Sequence, residues 1–203
     1  MVFEMTKDLH VVLASASPRR KELLQGLGWN FSVVPSNVPE DFPQGADPEE
    51  GAIQIARRKA EDIARIYPKS LVIAADTVVV LGEKIFGKPK NQEEAYFMLR
   101  TLANKQHDVI TAIALSYRNE CITDAEKTKV WFRSLMREDI EAYVSLGECF
   151  DKAGAYGIQG RGALLIEKIE GCFYNVMGLP LFRLSKMLER LGIPLNVQWG
   201  LNR

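Results

Sequence analysis

Cysteine is scarce in this chain, and the little present follows no pattern. Cys121, Cys149 and Cys172 are odd in number, and none belongs to a C-x-x-C pair. With only His10 and His107 to join them, a zinc site of Cys and His is not expected, and the thiols read as reduced. A surplus of either charge is also missing, since 26 Lys and Arg balance 26 Asp and Glu. A protein that coats nucleic acid or an anionic membrane needs a basic excess, so neither is an expected partner. A bound phosphate stays open, because a local cluster of cations suffices for that. No apolar run approaches the roughly 20 residues of a membrane span. The opening stretch MVFEMTKDLHVVLA is broken by Glu4, Lys7 and Asp8, unlike a secretory leader, so the expected location is the cytoplasm. Internal repeats, low-complexity tracts and the G-x-x-x-x-G-K-[ST] phosphate loop are all absent.

What is there suits one domain. A length of 203 residues with 47% hydrophobic content can bury a core without disulfide or metal staples. Strand and helix patterns alternate along it. Residues 10–14 read as a short strand, followed by SASPRR and a helix that Ser17 can cap, Pro18 can begin and Gly28 closes. Residues 30–34 read as the next strand, and residues 35–46 as a polar, proline-rich loop. Asp47-Pro48-Glu49-Glu50 signals a helix start. Ile53, Ala56, Ala60, Ile63 and Tyr67 then recur at helical spacing, with Arg57, Arg58 and Lys59 expected off that stripe.

Residues 71–81 form an apolar, β-branched run that predicts a buried strand, turning at Gly82-Glu83 into a return strand. Residues 91–102 predict a helix. Residues 107–117 and 121–132 predict a long antiparallel hairpin around Arg118-Asn119-Glu120. A helix over 138–146, a strand over 164–169 and a helix over 180–191 complete the order; the tail beyond Pro194 reads as a surface or interface segment. The expected class is α/β, built on a mixed sheet whose strand ends carry the site.

Five places have the residue types for chemistry. SASPRR, with Ser15, Arg19 and Arg20, joins small-residue backbone at a helix start to two guanidinium groups, a combination suited to phosphate. Asp76 lies inside LVIAADTVVV, where a carboxylate must be paired, metal-bound or held neutral. It reads either as a structural group satisfied at a bulge or as a general base or metal ligand. Lys88 sits in FGKP between Gly87 and Pro89, whose ring restricts the loop, while Lys59 projects from a helix. Each is unremarkable alone. In DKAGAYGIQGRG, glycines permit close backbone approach, and Gln159 offers both a donor and an acceptor.

Taken in order, LASASPRRKELL, ARRKA, IAADTVVV, GKP and DKAGAYGIQGRGA followed by VMGLPL resemble the Maf family, also known as septum formation inhibitor homologues. The resemblance covers nearly the whole chain. It implies a nucleoside triphosphate pyrophosphatase that releases monophosphate and pyrophosphate. It also implies an elongated fold of two lobes around a central cleft, similar to that of the inosine triphosphatases. Carried over, Asp76 is the proposed base, and Arg19, Thr77 and Gln159 are the selectivity positions. Lys59 and Lys88 hold the polyphosphate, beside Ser15 and Arg20. The same resemblance implies a divalent cation, Mg²⁺ or Mn²⁺, and is compatible with a homodimer.

Arg19, Thr77 and Gln159 match the branch that prefers dTTP and UTP. The alternatives are a branch acting on 7-methyl-GTP, or a nucleotide-sensing regulator of septum formation without catalysis. One departure stands out. Where many relatives carry two adjacent acids, this chain reads SNVPEDF, so Pro39 takes the first acidic position. Either Glu40, the expected second metal ligand beside Asp76, or Asp41 takes over, or that carboxylate is dispensable.

Overall fold

The computed structural model describes residues 9–201, so Glu4, Lys7 and Asp8 lie outside the described residues. Strand β1 (Val11–Leu13) leads into helix α1 (Pro18–Gly26). Ser17 takes the cap position there, but its side chain makes no capping bond. Instead the Ser17 N–H donates to Ser15 Oγ at 3.2 Å, which draws the small-residue loop back on itself. After β2 (Phe31–Val33) and the expected polar loop, helix α2 (Pro48–Ile66) starts where Asp47 accepts from the N–H groups of Glu49 and Glu50.

The buried face of α2 carries Ala52, Ile55, Ala56, Lys59, Ala60 and Ile63. Lys59 is therefore on the stripe, not off it. Ile55, Lys59 and Ile63 are four apart and lie on one face, while Ile53 is only half-buried.

Strand β3 (Leu71–Leu81) matches its predicted bounds and pairs with the short return strand β4 (Lys84–Phe86). Helix α3 (Gln92–Leu102) follows, then β5 (Gln106–Tyr117) and β6 (Glu120–Phe132). The connection has two residues, not three. Arg118 and Asn119 both have positive φ, as the tightest hairpin turns require. Helix α4 (Arg137–Ser145) precedes the glycine-rich stretch, which winds into two short 3₁₀ turns, Ala153–Ala155 and Gly160–Leu165. The second turn takes up Leu164 and Leu165, so β7 begins late, at Ile166–Glu170. Helix α5 (Phe173–Met177) was not expected; α6 (Leu181–Arg190) was.

The seven strands form one mixed sheet in the order β2-β1-β3-β5-β6-β7, with β4 on β3. β1 runs parallel to β2 and β3, whereas β4 and β7 are antiparallel to their neighbours. The fold is α/β, as the alternating pattern predicts.

The chain divides into two compact units. One comprises the chain through Asp76, Ala112–Ala125 and the chain from Gly178; the other comprises Thr77–Thr111 and Glu126–Met177. The first buries Val11, Leu24, Ile55, Ile73 and Leu188 among others. Its tail is not a loose surface segment: α7 (Leu195–Gln198) buries Val197 and Gln198, and Gln198 Nε2 donates to the carbonyls of Ser185 and Ile193. The core of the second unit gathers Val79, Phe86, Leu99, Phe132, Ile140 and Tyr156. Among the described residues, no helix is long and apolar enough to cross a membrane.

Within that second core His107 is 1% exposed, with Nε2 at 2.6 Å from the Tyr156 hydroxyl and its ring edge-on to Phe132. Burial lowers its pKa to about 4, against a small opposing effect from a backbone bond. The unfolded chain therefore binds this proton more tightly than the folded one. His107 favours the fold fully above pH 6.5, and that contribution, up to about 3 kcal/mol, falls away as pH drops towards 4. Urea denaturation at pH 7.5 and 4.5 should show a smaller pH-dependent loss in His107→Gln than in the parent chain. An equal loss in both would contradict this assignment.

Candidate active site

Asp76 is the last residue of the first unit, midway along β3, and is 8% exposed with apolar neighbours on both sides. Its partner is Lys59. The ammonium donates to Asp76 Oδ1 at 2.8 Å and also lies 2.8 Å from Glu40 Oε1. The pattern of α2 explains how it gets there: a lysine on the buried face can satisfy its charge only against a carboxylate. Glu40 reaches the same cation from the polar loop, with about half its side chain exposed. Asp41 is engaged elsewhere through its backbone, since its carbonyl accepts from Arg58. Of the two acids after Pro39, Glu40 is the one that joins Asp76.

The SASPRR loop also belongs to the first unit. Arg20 is not a solvent-facing cation. Its side chain is buried, with Nε donating to the Gly178 carbonyl at 2.8 Å and Nη1 to Ser15 Oγ at 3.1 Å. Burial pulls its pKa down, Asp76 raises it, Arg19 lowers it and Glu40 raises it again. Arg20 thus stays a guanidinium held in the field of both carboxylates while it pins the loop. Arg19, beside it, remains half-exposed. Ser15 receives from both Arg20 and the Ser17 N–H, so it organises the loop's backbone.

The second unit begins at Thr77, whose Oγ1 lies 2.9 Å from Thr111 Oγ1. Lys88 is exposed on the loop after β4. That loop is tied to the glycine-rich stretch, because the Gly154 N–H donates to the Gly87 carbonyl at 3.0 Å. Gly154 has φ +69°, and a Cβ there would meet the Val79 side chain at 3.0 Å. At Gly162 a Cβ would stand 2.3 Å from the Gly157 carbonyl oxygen. Both glycines are therefore required by the path of the backbone. Gln159 is exposed on this path, just ahead of the second 3₁₀ turn, and does not cap it.

Two residues here were not singled out by sequence reasoning. Thr111 and Asn175 are fully buried and connect to Thr77 through hydrogen bonds spanning 34 and 64 positions of the chain. No local spacing signals such a link. The only available hint was composition: a threonine and an asparagine inside otherwise apolar segments.

Among the described residues, no group of three or more His, Cys, Asp and Glu could hold a metal ion. Asp76 and Glu40 nevertheless bring two carboxylates to one ammonium, that of Lys59. That donor set fits Mg²⁺ or Mn²⁺, since Mg²⁺ is commonly bound by one or two carboxylates together with substrate phosphates.

Known proteins resemble this chain over most of its length. A dTTP/UTP pyrophosphatase of Caldicellulosiruptor saccharolyticus is 47% identical over 91% of this chain and 96% of its own length. One of Pyrococcus furiosus is 50% identical over 88% of this chain and 94% of its own. The solved structure of a HAM1 protein from Coxiella burnetii aligns over 90% of this chain and 99% of that one, at 17% identity and a TM-score of 0.49. The family model for Maf-like proteins matches residues 10–191, and the chain belongs to that family.

Proposed function

We propose that this chain is a nucleoside triphosphate pyrophosphatase that hydrolyses dTTP and UTP to the monophosphate and pyrophosphate. It would work as one functional domain on the nucleotide pool of the cytoplasm. The observation that carries the reading is the buried Lys59–Asp76 pair with Glu40 on the same ammonium, in a chain whose relatives are named for this activity. A triphosphate carries about four negative charges, so its binding needs fixed cations. The reading assigns Arg19 and Lys88 to the polyphosphate, with Arg20 and Ser15 shaping the loop that presents backbone N–H groups. Gln159 addresses the O4/N3 edge of the base.

Lys59 occupies Asp76 Oδ1, which leaves Oδ2 outside the ion pair. In this reading Oδ2 accepts the proton of the attacking water as the α–β anhydride bond opens and pyrophosphate leaves. Mg²⁺ or Mn²⁺, which Asp76 and Glu40 would hold, supplies charge neutralisation for the phosphate oxygens when bound.

Asp76→Asn keeps the size of the side chain and removes the basic oxygen. It should lower pyrophosphate release by about 10²-fold or more while the thermal melt still shows a folded protein. An active Asp76→Asn enzyme would sink the assignment. Gln159→Ala should shift base preference more than it weakens polyphosphate binding; an equal loss across all triphosphates would argue against base reading. A panel of triphosphates with Mg²⁺ or Mn²⁺, assayed for pyrophosphate against phosphate, separates this activity from a purine-directed one. Turnover of none would favour the regulatory alternative.

The two halves of the ion cluster should also differ in stability. Lys59→Met leaves a buried carboxylate without its cation and should cost about 3–5 kcal/mol in urea denaturation. Glu40→Gln breaks a half-exposed pair and should cost less than about 1 kcal/mol. Equal costs would show that the burial difference does not govern the cluster.

A further inference from the structure

Gln159 is exposed and its side chain caps nothing, so the aim of its amide is set by the backbone on either side of it. Both sides lead back to one residue, Glu148, which stands just beyond the Gly147 turn that ends α4. On the C-terminal side, Glu148 Oε1 pairs with Arg161 Nη1 at 3.2 Å. Gly160, just before Arg161, takes φ +62°, and a Cβ there would lie 3.5 Å from Glu148 Oε2. On the N-terminal side, the Lys152 ammonium donates to the Glu148 carbonyl. The Lys152 stem lies against Gly157, where a Cβ would stand 2.9 Å from Lys152 Cε.

Beneath the same stretch stands Tyr143 of α4, which is buried, with its Oη 2.8 Å from the place a Cβ would take at Gly162. The phenol fills the space under the backbone, so the stretch cannot sink towards α4. Outward movement is opposed at Gly157 by Lys152 and at Arg161 by the Glu148 carboxylate. Gln159 is thus a mobile side chain on a held backbone.

We propose that Glu148 is a positioning residue for base selection: through Arg161, its carboxylate fixes the direction in which Gln159 presents its amide. The inference rests on the reading above in which Gln159 addresses the O4/N3 edge of the base, and it names what holds that residue in place. A base edge meets an amide well only within a narrow range of positions, and a displacement of about 1 Å costs much of the hydrogen bonding. The ion pair is itself partly exposed, 62% on Arg161 and 31% on Glu148, so it adds little to stability. What it supplies is orientation.

The test compares kcat/KM for UTP and GTP in Glu148→Gln, Arg161→Gln and the double variant, with thermal melts to confirm folding. Each single change should lower the UTP to GTP ratio by about tenfold, through a higher KM for UTP with kcat nearly unchanged. The double variant should fall no further, since both changes remove the same interaction. Arg161→Lys keeps the charge and should retain most of the ratio. Inhibition by inorganic tripolyphosphate should match the parent, because the phosphates are assigned to other residues. An unchanged ratio, equal loss on UTP and GTP, or effects that multiply in the double variant would overturn the proposal. So would a loss in Arg161→Lys as large as in Arg161→Gln, or weakened tripolyphosphate inhibition. Should Glu148→Gln fail to fold, the two Arg161 variants carry the comparison, since that side chain is largely exposed. A Gln159→Ala enzyme with unaltered base preference, or a parent without turnover of UTP and dTTP, would be a different result, removing the underlying reading and this inference together.

Discussion

The buried ion pair between Lys59 and Asp76 is the constraint around which the first unit is arranged. A carboxylate in the middle of an apolar strand is costly to desolvate, and a lysine on the buried face of a helix is equally costly. Each is tolerable because the other stands 2.8 Å away. The pair therefore dictates more than itself. Helix α2 must begin at a definite point so that Lys59 falls in line with Ile55 and Ile63, and Asp47 provides that start by accepting from two N–H groups. The polar loop must bring Glu40 to the same ammonium. Arg20 adds a second buried cation, whose charge is felt by both acids and whose hydrogen bonds shape the SASPRR loop.

A pair of this kind is a poor device for stability alone, because an apolar replacement of similar volume often does as well or better. What it supplies is a carboxylate with a fixed orientation. One oxygen is committed to Lys59 and the other is not, an asymmetry that a solvated aspartate would lack. The second unit uses backbone to the same end. The Gly154 N–H on the Gly87 carbonyl couples the loop bearing Lys88 to the stretch bearing Gln159, so neither is an independent surface loop.

Much of the fold was legible because its signals are local. The β-branched run of β3 gave the strand its bounds, and Asp47-Pro48-Glu49-Glu50 marked α2. Asp76 and Arg19 stood out through residue type in an incongruous setting. Lys59 was misplaced because only apolar residues were counted into the stripe, although it stands four residues from both Ile55 and Ile63 on the face that also buries Ala56 and Ala60. Helices α5 and α7 were missed since five and four residues are too few to display a period. The burial of Arg20 depends on the Gly178 carbonyl, 158 positions away, and no neighbouring residue announces it. The tail beyond Pro194 read as a surface or interface segment because nothing local signals that Gln198 is buried, its amide bonded to Ser185 and Ile193.

The same distinction separates charged from neutral recognition in this molecule. The balanced net charge says little, because the cations and acids are sorted within the fold. Charge alone, however, cannot tell one base from another, since every triphosphate presents the same phosphates. Discrimination needs a group whose donor or acceptor character is fixed, and a lone hydroxyl rotates to suit its partner. Burial removes that freedom inside the second unit: the Thr111 hydroxyl donates to the Asn175 carbonyl, which cannot donate, and neither side chain is reached by water.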